Sequence, residues 1–227
     1  LPCFLQQAAV AGIDFALGVF LGLLYKNTMF VDNTEADLWV VPPETTTVIA
    51  GSPLPMSALT AARTSDGIAW AEPLLFGGAA MQRPDGGREA VQLVGVTLPR
   101  QAGGPFAVVA GDPNDLALPD TLFFDDAVRD DLGGLNLGSV RELSGHRVVV
   151  GGFTWGLLPF GPSYAFAELE TAREILRSPS DQTSFVLAGV EEGRDVSRVR
   201  DALQATLGDQ AQVITRQEFH DTIIAEL

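Results

Sequence analysis

The chain has 227 residues, which is enough for one large domain or two small ones with buried cores. Its 14 basic residues against 29 acidic ones leave a net charge of -15, which disfavours nucleic acids and anionic lipid headgroups as partners. The single cysteine, Cys3, excludes an intrachain disulfide, and the sequence has no paired Cys/His spacing of a structural zinc site.

A long apolar run opens the chain. Residues 8–24 read AAVAGIDFALGVFLGLL, and with apolar neighbours the run reaches the roughly 20 residues of a membrane-spanning helix. At helical spacing Asp14, Gly18 and Gly22 share one face, where the two glycines permit another helix to approach and shelter the carboxylate. We expect a membrane helix that packs through these three residues. A buried helix of a soluble core is the alternative.

Two β-α-β units follow, one near each end of the remaining chain. In the first, DLWVV (37–41) and residues 68–80 are predicted strands that flank a helix from Pro55 to about residue 63. In the second, residues 183–190 and 211–215 flank a helix that Asp195 caps. Thr215 and Glu218 then have the spacing of a capping box for a last helix.

The segment between the two units is predicted to be mostly β. It contains two hairpin turns, at 83–87 and 144–145, and Asp126 is the predicted N-cap of a short helix over 126–132. Other predicted elements are strands 88–98, 121–125 and 164–167 and an amphipathic helix over 168–177. The predicted fold is therefore α+β, a split βαβ (ferredoxin-like) subdomain with a β-rich insert.

The sequence has no recognisable catalytic motif. It has no GxSxG, HExxH, P-loop or GxGxxG pattern, and both histidines, His146 and His220, are interpreted as surface residues. The acidic stretch 123–131 suggests a glycosidase or a cation site, but it has neither the alternation nor the glycine of an EF-hand. We therefore expect no enzyme activity, no cofactor and no metal.

An apolar loop is the other candidate for binding. In the stretch FTWGLLPFGPSYAF (153–166), Pro159, Gly161 and Pro162 favour a loop. Its large side chains either contact a partner or lipid, or fold back and become buried. The candidate contacts are Trp155, Leu157, Leu158 and Phe160.

The order of short motifs resembles a known family. ADLWVV follows the apolar run, and RPDGG, LPDTLFFDD, SYAF, DQTSFVLAGVEEG and VITRQEF come after it in that order. This series is similar to the MacB-like periplasmic core domain of ABC-transporter permeases, of the DevC type and the wider FtsX-like family. In that family ADLWVV follows the first membrane helix, so Asp37, Leu38, Trp39 and Val40 are the expected structural motif.

The resemblance implies a division of the chain into four parts. These are a transmembrane-like helix with its stalk (1–34), a discontinuous porter-like subdomain (35–83 and 183–215), a Sabre-like β-rich insert (84–182), and a helix that leads to a second membrane helix (216–227). The chain would then be a piece of a longer permease.

The resemblance also implies a function. The domain would lie outside the cytoplasm on a bacterial inner-membrane permease and relay an ATP-driven conformational change to substrate export, without catalysis of its own. Expected partners are an ATP-binding cassette ATPase subunit, a second permease copy and a periplasmic adaptor or membrane fusion protein. The alternatives are a membrane-anchored interaction or scaffold module and a soluble hydrolase. The sequence does not indicate the cargo.

Overall fold

The structure is a computed structural model that describes residues 28–48, 52–155 and 163–226. Most of the predicted transmembrane-like segment, including Asp14, Gly18 and Gly22, lies outside these ranges. Helix α1 is described over residues 28–32. No helix among the described residues is both long and apolar enough to cross a bilayer.

The described residues form twelve strands and five helices, with short 3-10 turns between some of them. The strands are β1 (Leu38–Val41), β2 (Leu54–Pro55), β3 (Ile68–Gln82), β4 (Arg88–Val96), β5 (Val108–Ala110), β6 (Thr121–Asp125), β7 (Val140–Leu143), β8 (His146–Thr154), β9 (Ser163–Glu168), β10 (Gln182–Thr183), β11 (Phe185–Val190) and β12 (Gln212–Thr215). The helices after α1 are α2 (Met56–Thr64), α3 (Leu169–Leu176), α4 (Val196–Leu207) and α5 (Arg216–Ala225).

The two predicted β-α-β units interleave in one sheet. The strand order begins β12-β1-β11-β3, so β11 of the second unit lies between β1 and β3 of the first. All three of these pairings are antiparallel. The mixture of a largely antiparallel sheet with flanking helices is an α+β fold, which agrees with the fold class predicted from the sequence.

The same sheet continues past β3 and closes on itself. The order runs on through β4, β9, β6 and β8, and β7 pairs with both β8 and β3, which completes a ring of six strands. Strand β3 belongs to both parts: residues 68–74 pair with β11, and residues 74–82 pair with β4. The interleaved units and the ring are therefore joined by one unbroken strand.

Alternation along the strands sends side chains to two different cores. In β1, Leu38 and Val40 pack in the cluster that contains α2 and α4, whereas Trp39 and Val41 pack in the cluster that contains α1 and α5. A third cluster joins all six strands of the ring to α3. Each helix is thus held by the apolar face that it covers.

Several local predictions are confirmed. The N–H of Arg83 donates to the carbonyl of Gly87 across the first hairpin turn at 2.8 Å. The carboxylate of Asp195 caps α4, and Thr215 and Glu218 form the capping box of α5. These turns and caps depend on residues that are close in sequence, which explains why the sequence pattern is sufficient to predict them.

The short helix predicted over 126–132 is wrong. Only a 3-10 turn over Asp126–Val128 forms there, and its N-cap is Asp125, whose carboxylate accepts from the N–H of Ala127 at 3.0 Å. Asp126 instead pairs with Arg129 at 3.1 Å. Two glycines with positive φ, Gly133 and Gly134, follow, and this backbone conformation is not helical.

Close packing of α3 on the sheet depends on a glycine in β4. A Cβ built at Gly95 would lie 2.5 Å from the Cβ of Ala172, whereas one at Gly78 of β3 meets nothing within 4 Å. We expect Gly95→Ala to lower the free energy of unfolding by about 1–3 kcal/mol through overpacking. Gly78→Ala is the matched control and should leave stability equal or slightly higher. Equal denaturation midpoints for the two variants would contradict this packing.

Candidate functional site at the junction of the first and last helices

An aromatic cluster forms around Trp39, which is fully buried in β1. The indole makes edge-to-face contacts with Phe30 of α1, Phe185 of β11 and Phe219 of α5, at centroid distances of 6.2, 5.7 and 5.1 Å. Aromatic pairs in this geometry stabilise beyond the area they bury, by about 0.5–1.5 kcal/mol each. Trp39 therefore connects α1, α5 and the central sheet.

Phe30 extends the cluster toward the ring of strands. The centroid of the Phe30 phenyl group is 5.3 Å from that of Phe76 in β3 and 5.7 Å from that of Phe106. The same phenyl group stacks on the Tyr164 side chain of β9, at a centroid distance of 5.8 Å. Burial raises the pKa of the Tyr164 hydroxyl. A single side chain of α1 thus contacts both the interleaved units and the ring. We call this set the aromatic junction: Phe30, Trp39, Phe76, Phe106, Tyr164, Phe185 and Phe219.

Polar contacts clamp α1 and the start of α5 together beside the aromatic junction. The Nδ1 atom of His220 lies 2.9 Å from the Oδ1 atom of Asp32. The Nη1 atom of Arg216 donates to the carbonyl of Thr34 at 3.0 Å. We call these four residues the α1–α5 clasp. The histidine contacts a residue 188 positions earlier, so its interpretation as a plain surface residue misses this tertiary pairing.

Asp37 ties the start of β1 to its neighbours. Its carboxylate accepts from the N–H of Val190 at 2.9 Å, and its N–H donates to the carbonyl of Ala188. Its carbonyl accepts from the N–H of Arg216 at the first residue of α5. Within the predicted motif, Asp37 therefore forms hydrogen bonds with both strand β11 and helix α5. The other three motif residues, Leu38, Trp39 and Val40, are fully buried.

Glu218 belongs to the capping box of α5 and also links α5 to α4. Its carboxylate accepts from the N–H of Thr215 at 2.7 Å and pairs with the guanidinium of Arg200. Burial raises the pKa of Glu218, but the hydrogen bonds from Thr215 and Arg200 outweigh it, so this pKa lies below its ordinary value of 4.5. The ionised carboxylate is thus favoured in the folded chain.

The remaining predicted site residues separate into two groups. Trp155 lies just past the end of β8 with 58% of its surface exposed, and its N–H donates to the carbonyl of Ala107 at 3.1 Å. Leu157, Leu158 and Phe160 lie in residues 156–162, outside the described part of the chain. Their contact with a partner stays a prediction.

The acidic stretch does not form a metal centre in the described part of the chain. No group of three or more His, Cys, Asp or Glu side chains there is arranged to hold an ion. Asp125 is buried at the N-cap described above, and Asp120 lies 2.7 Å from the Nε2 atom of His146. These carboxylates contribute to turns and to strand packing.

Comparison with known proteins identifies the fold. No protein-family model matches this sequence, and a search of curated proteins found no match. The periplasmic region of MacB from Actinobacillus actinomycetemcomitans superposes with a TM-score of 0.62 at 9% identity, over 85% of this chain and 95% of that one. The extracellular domain of YknZ, a noncanonic ABC-type transporter from Gram-positive bacteria, superposes with a TM-score of 0.56 at 14% identity. That match covers 79% of this chain and 99% of the YknZ domain.

The chain therefore has the fold of the extracellular or periplasmic domains of these two proteins. The resemblance to MacB-like periplasmic domains, inferred from the motif order, is confirmed at the level of the fold.

The role of Trp39 is tested by truncation. We expect Trp39→Ala to lower the free energy of unfolding by about 3–5 kcal/mol, because it empties the centre of the aromatic junction. Trp39→Phe retains an aromatic side chain and should lower the free energy of unfolding by less than Trp39→Ala does. Trp155→Ala is the matched control at an exposed site and should change stability by no more than about 0.5 kcal/mol. Urea unfolding measures all three, and an unchanged midpoint for Trp39→Ala contradicts the role.

Glu218 should make stability depend on pH. Because its pKa is lowered on folding, its ionised form stabilises the fold above the ordinary pKa of 4.5, and this contribution disappears as the pH falls through the folded pKa. We expect Glu218→Gln to be less stable than the parent chain at neutral pH, with the difference shrinking in acid. Unfolding curves across this pH range measure it. Glu192→Gln is the exposed control, and a parallel pH profile for both variants would refute the assignment.

Proposed function

We propose that this chain is the extracytoplasmic domain of an ABC transporter permease subunit. It is non-catalytic, and it relays an ATP-driven conformational change to the export or extrusion of a substrate. The observation that carries the proposal is the fold shared with the extracellular domain of YknZ and the periplasmic region of MacB. The function of those domains is extended to this chain by analogy of fold.

The geometry of the aromatic junction supports a relay. Helix α1 directly follows the predicted membrane helix, and α5 leads toward the predicted second one. Both helices pack on Trp39, and the α1–α5 clasp joins them. Because close-packed interiors transmit displacement, a movement of either helix would shift β1 and, through Phe30, the strands β3 and β9.

The proposal includes a division into two subdomains. The interleaved units correspond to the porter-like part, 35–83 with 183–215, and the ring corresponds mostly to the Sabre-like insert, 84–182. Since β3 runs through both, it is the direct mechanical connection between them. In this arrangement the exposed Trp155 is on the insert and is available to a periplasmic adaptor.

The proposed assembly places the chain at a bacterial inner membrane. Its partners are an ATP-binding cassette ATPase subunit and a second permease copy, and Asp14, Gly18 and Gly22 pack the first membrane helix against a neighbour. A membrane-anchored scaffold with the same domain is the competing proposal. The gene beyond the codon for Leu227 separates them, since a permease requires further apolar runs of about 20 residues.

The location outside the cytoplasm is tested by labelling intact cells. Ala205 lies on an exposed position of α4, so Ala205→Cys in a permease without other cysteines provides one reactive thiol. We expect a membrane-impermeant maleimide to label this thiol once the outer membrane is permeabilised. Labelling that requires rupture of the inner membrane would overturn the proposed orientation.

The relay is tested in the reconstituted permease and ATPase. A fluorophore at Ala205→Cys should change emission between nucleotide-free and ATP-bound states. We expect Asp32→Asn, which removes the charge from the α1–α5 clasp while keeping its shape, to reduce this change without stopping ATP hydrolysis. Trp155→Ala is the control outside the clasp. An unaltered emission change in Asp32→Asn would refute transmission through the clasp.

A further inference from the structure

One buried polar side chain in the described part of the chain makes no hydrogen bond. The buried polar or charged residues there are Thr28, Thr34, Thr45, Gln92, Thr121, Asp125, Thr154, Arg173 and Thr183. All except Gln92 have a hydrogen-bond or ionic partner. The side chain of Gln92, in β4, is only 7% exposed, and its carboxamide could both donate and accept. An unpaired amide in a protein interior destabilises the fold, so packing alone does not explain it.

Gln92 belongs to a row of three residues on neighbouring strands. It is directly opposite Gly78 of β3 on one side and Tyr164 of β9 on the other. Residues opposite each other on paired strands share a face of the sheet, and this is the face on which Phe76 and Tyr164 join the aromatic junction. The Tyr164 hydroxyl makes no hydrogen bond in the described chain, and burial alone raises its pKa. Two polar groups without partners are therefore neighbours in this row.

The space above Gly78 is open on the same face. A Cβ built at Gly78 meets no atom within 4 Å, and the residue is exposed. The next pair along the two strands, Ala80 and Ala90, is also small and exposed. The larger side chains of Gln92 and Phe76 border this uncovered part of the sheet. We call the space above Gly78, Ala80 and Ala90 the Gly78 gap.

The edge of β3 has an unused hydrogen-bonding position at the same glycine. On the edge away from β4, the N–H of Phe76 donates to the hydroxyl of Ser184 at 2.9 Å, and the N–H of Ala80 donates to the hydroxyl of Ser144 at 3.1 Å. Successive residues of a strand direct their backbone groups to alternate edges, so the N–H and carbonyl of Gly78 point to this edge too. Neither has a partner among the described residues. Gly78 therefore presents a donor and an acceptor beside the Gly78 gap.

The residues around the Gly78 gap favour an uncharged ligand. On this face the row of Gly78 and the rows on either side of it contain no charged side chain; they are Gly78, Gln92 and Tyr164, then Phe76, Val94 and Phe166, then Ala80 and Ala90. A charged group held here would lose water without gaining a counter-charge. A peptide amide presents one N–H and one carbonyl, which match both the carboxamide of Gln92 and the backbone of Gly78.

We propose that the Gly78 gap binds an extended, uncharged peptide segment of another molecule. The carboxamide of Gln92 and the backbone of Gly78 hydrogen-bond the peptide, and the partly buried ring of Phe76 contacts one of its apolar side chains. These two hydrogen-bonding positions are on adjacent strands, about 4.8 Å apart. Successive amides of a peptide can use both positions, whereas a small amide can use one at a time. The inference does not depend on the proposed transport function, because it rests only on contacts of β3, β4 and β9.

The test measures binding of a capped tripeptide, N-acetyl-alanyl-phenylalanyl-alanine methylamide, to the full-length protein in detergent by saturation-transfer NMR. Acetamide and acetate are the small probes, and the signal with detergent alone is subtracted. We expect saturable tripeptide binding, weakened about tenfold or more in Gln92→Leu, which removes the donor and acceptor at similar volume. Gly78→Leu, which fills the gap, should weaken it as much. Gln212→Leu, the same change at an exposed position of β12, should bind as the parent does.

The melting temperature is the second measurement. Because Gln92 has no partner to lose, Gln92→Leu should melt at the same temperature as the parent or higher. A clearly lower melting temperature would mean that the amide has a structural role, and it overturns the site. No saturable tripeptide binding, or equal weakening in Gln212→Leu, also overturns the site. Acetamide binding as tight as that of the tripeptide overturns the peptide as ligand, and acetate binding tighter than acetamide overturns the uncharged ligand.

Discussion

The packing of Trp39 between α1 and α5 is the interaction on which the described structure depends most. The indole occupies the face of β1 opposite α2 and α4, so the first strand is covered on both sides. Phe30 and Phe219 reach it from helices that are far apart in sequence. The two ends of the described chain are thereby joined at one point of the sheet, where a change in either helix reaches the same core.

Strand β3 provides the second constraint. It pairs with β11 in its first half and with β4 in its second, and β7 closes the ring at its end. Because β3 is hydrogen-bonded within both parts and packs on the core of each, the interleaved units and the ring have little freedom to move relative to each other. The proposed relay therefore depends on small shifts of packed elements more than on hinge motion.

Local features were predictable because their causes are local. The caps by Asp195 and Thr215 and the turns at 83–87 and 144–145 each depend on residues a few positions apart. The predicted helix over 126–132 shows the limit, since consecutive acids and apolar residues fit a short helix or a turn equally well. The N-cap is Asp125, at the end of β6, one residue before the predicted N-cap Asp126.

The sequence by itself determined most of the longer strands and helices, the α+β class and the motif series that resembles MacB-like domains, because periodicity, caps and turns depend on residues that are close together in the sequence. Tertiary structure alone decided which distant residues meet. The α1–α5 clasp joins positions 188 residues apart, and the ring of strands closes only because β7 pairs with both β3 and β8. Such contacts follow from the closure of long loops around shared cores, and no local pattern along the chain encodes the partner.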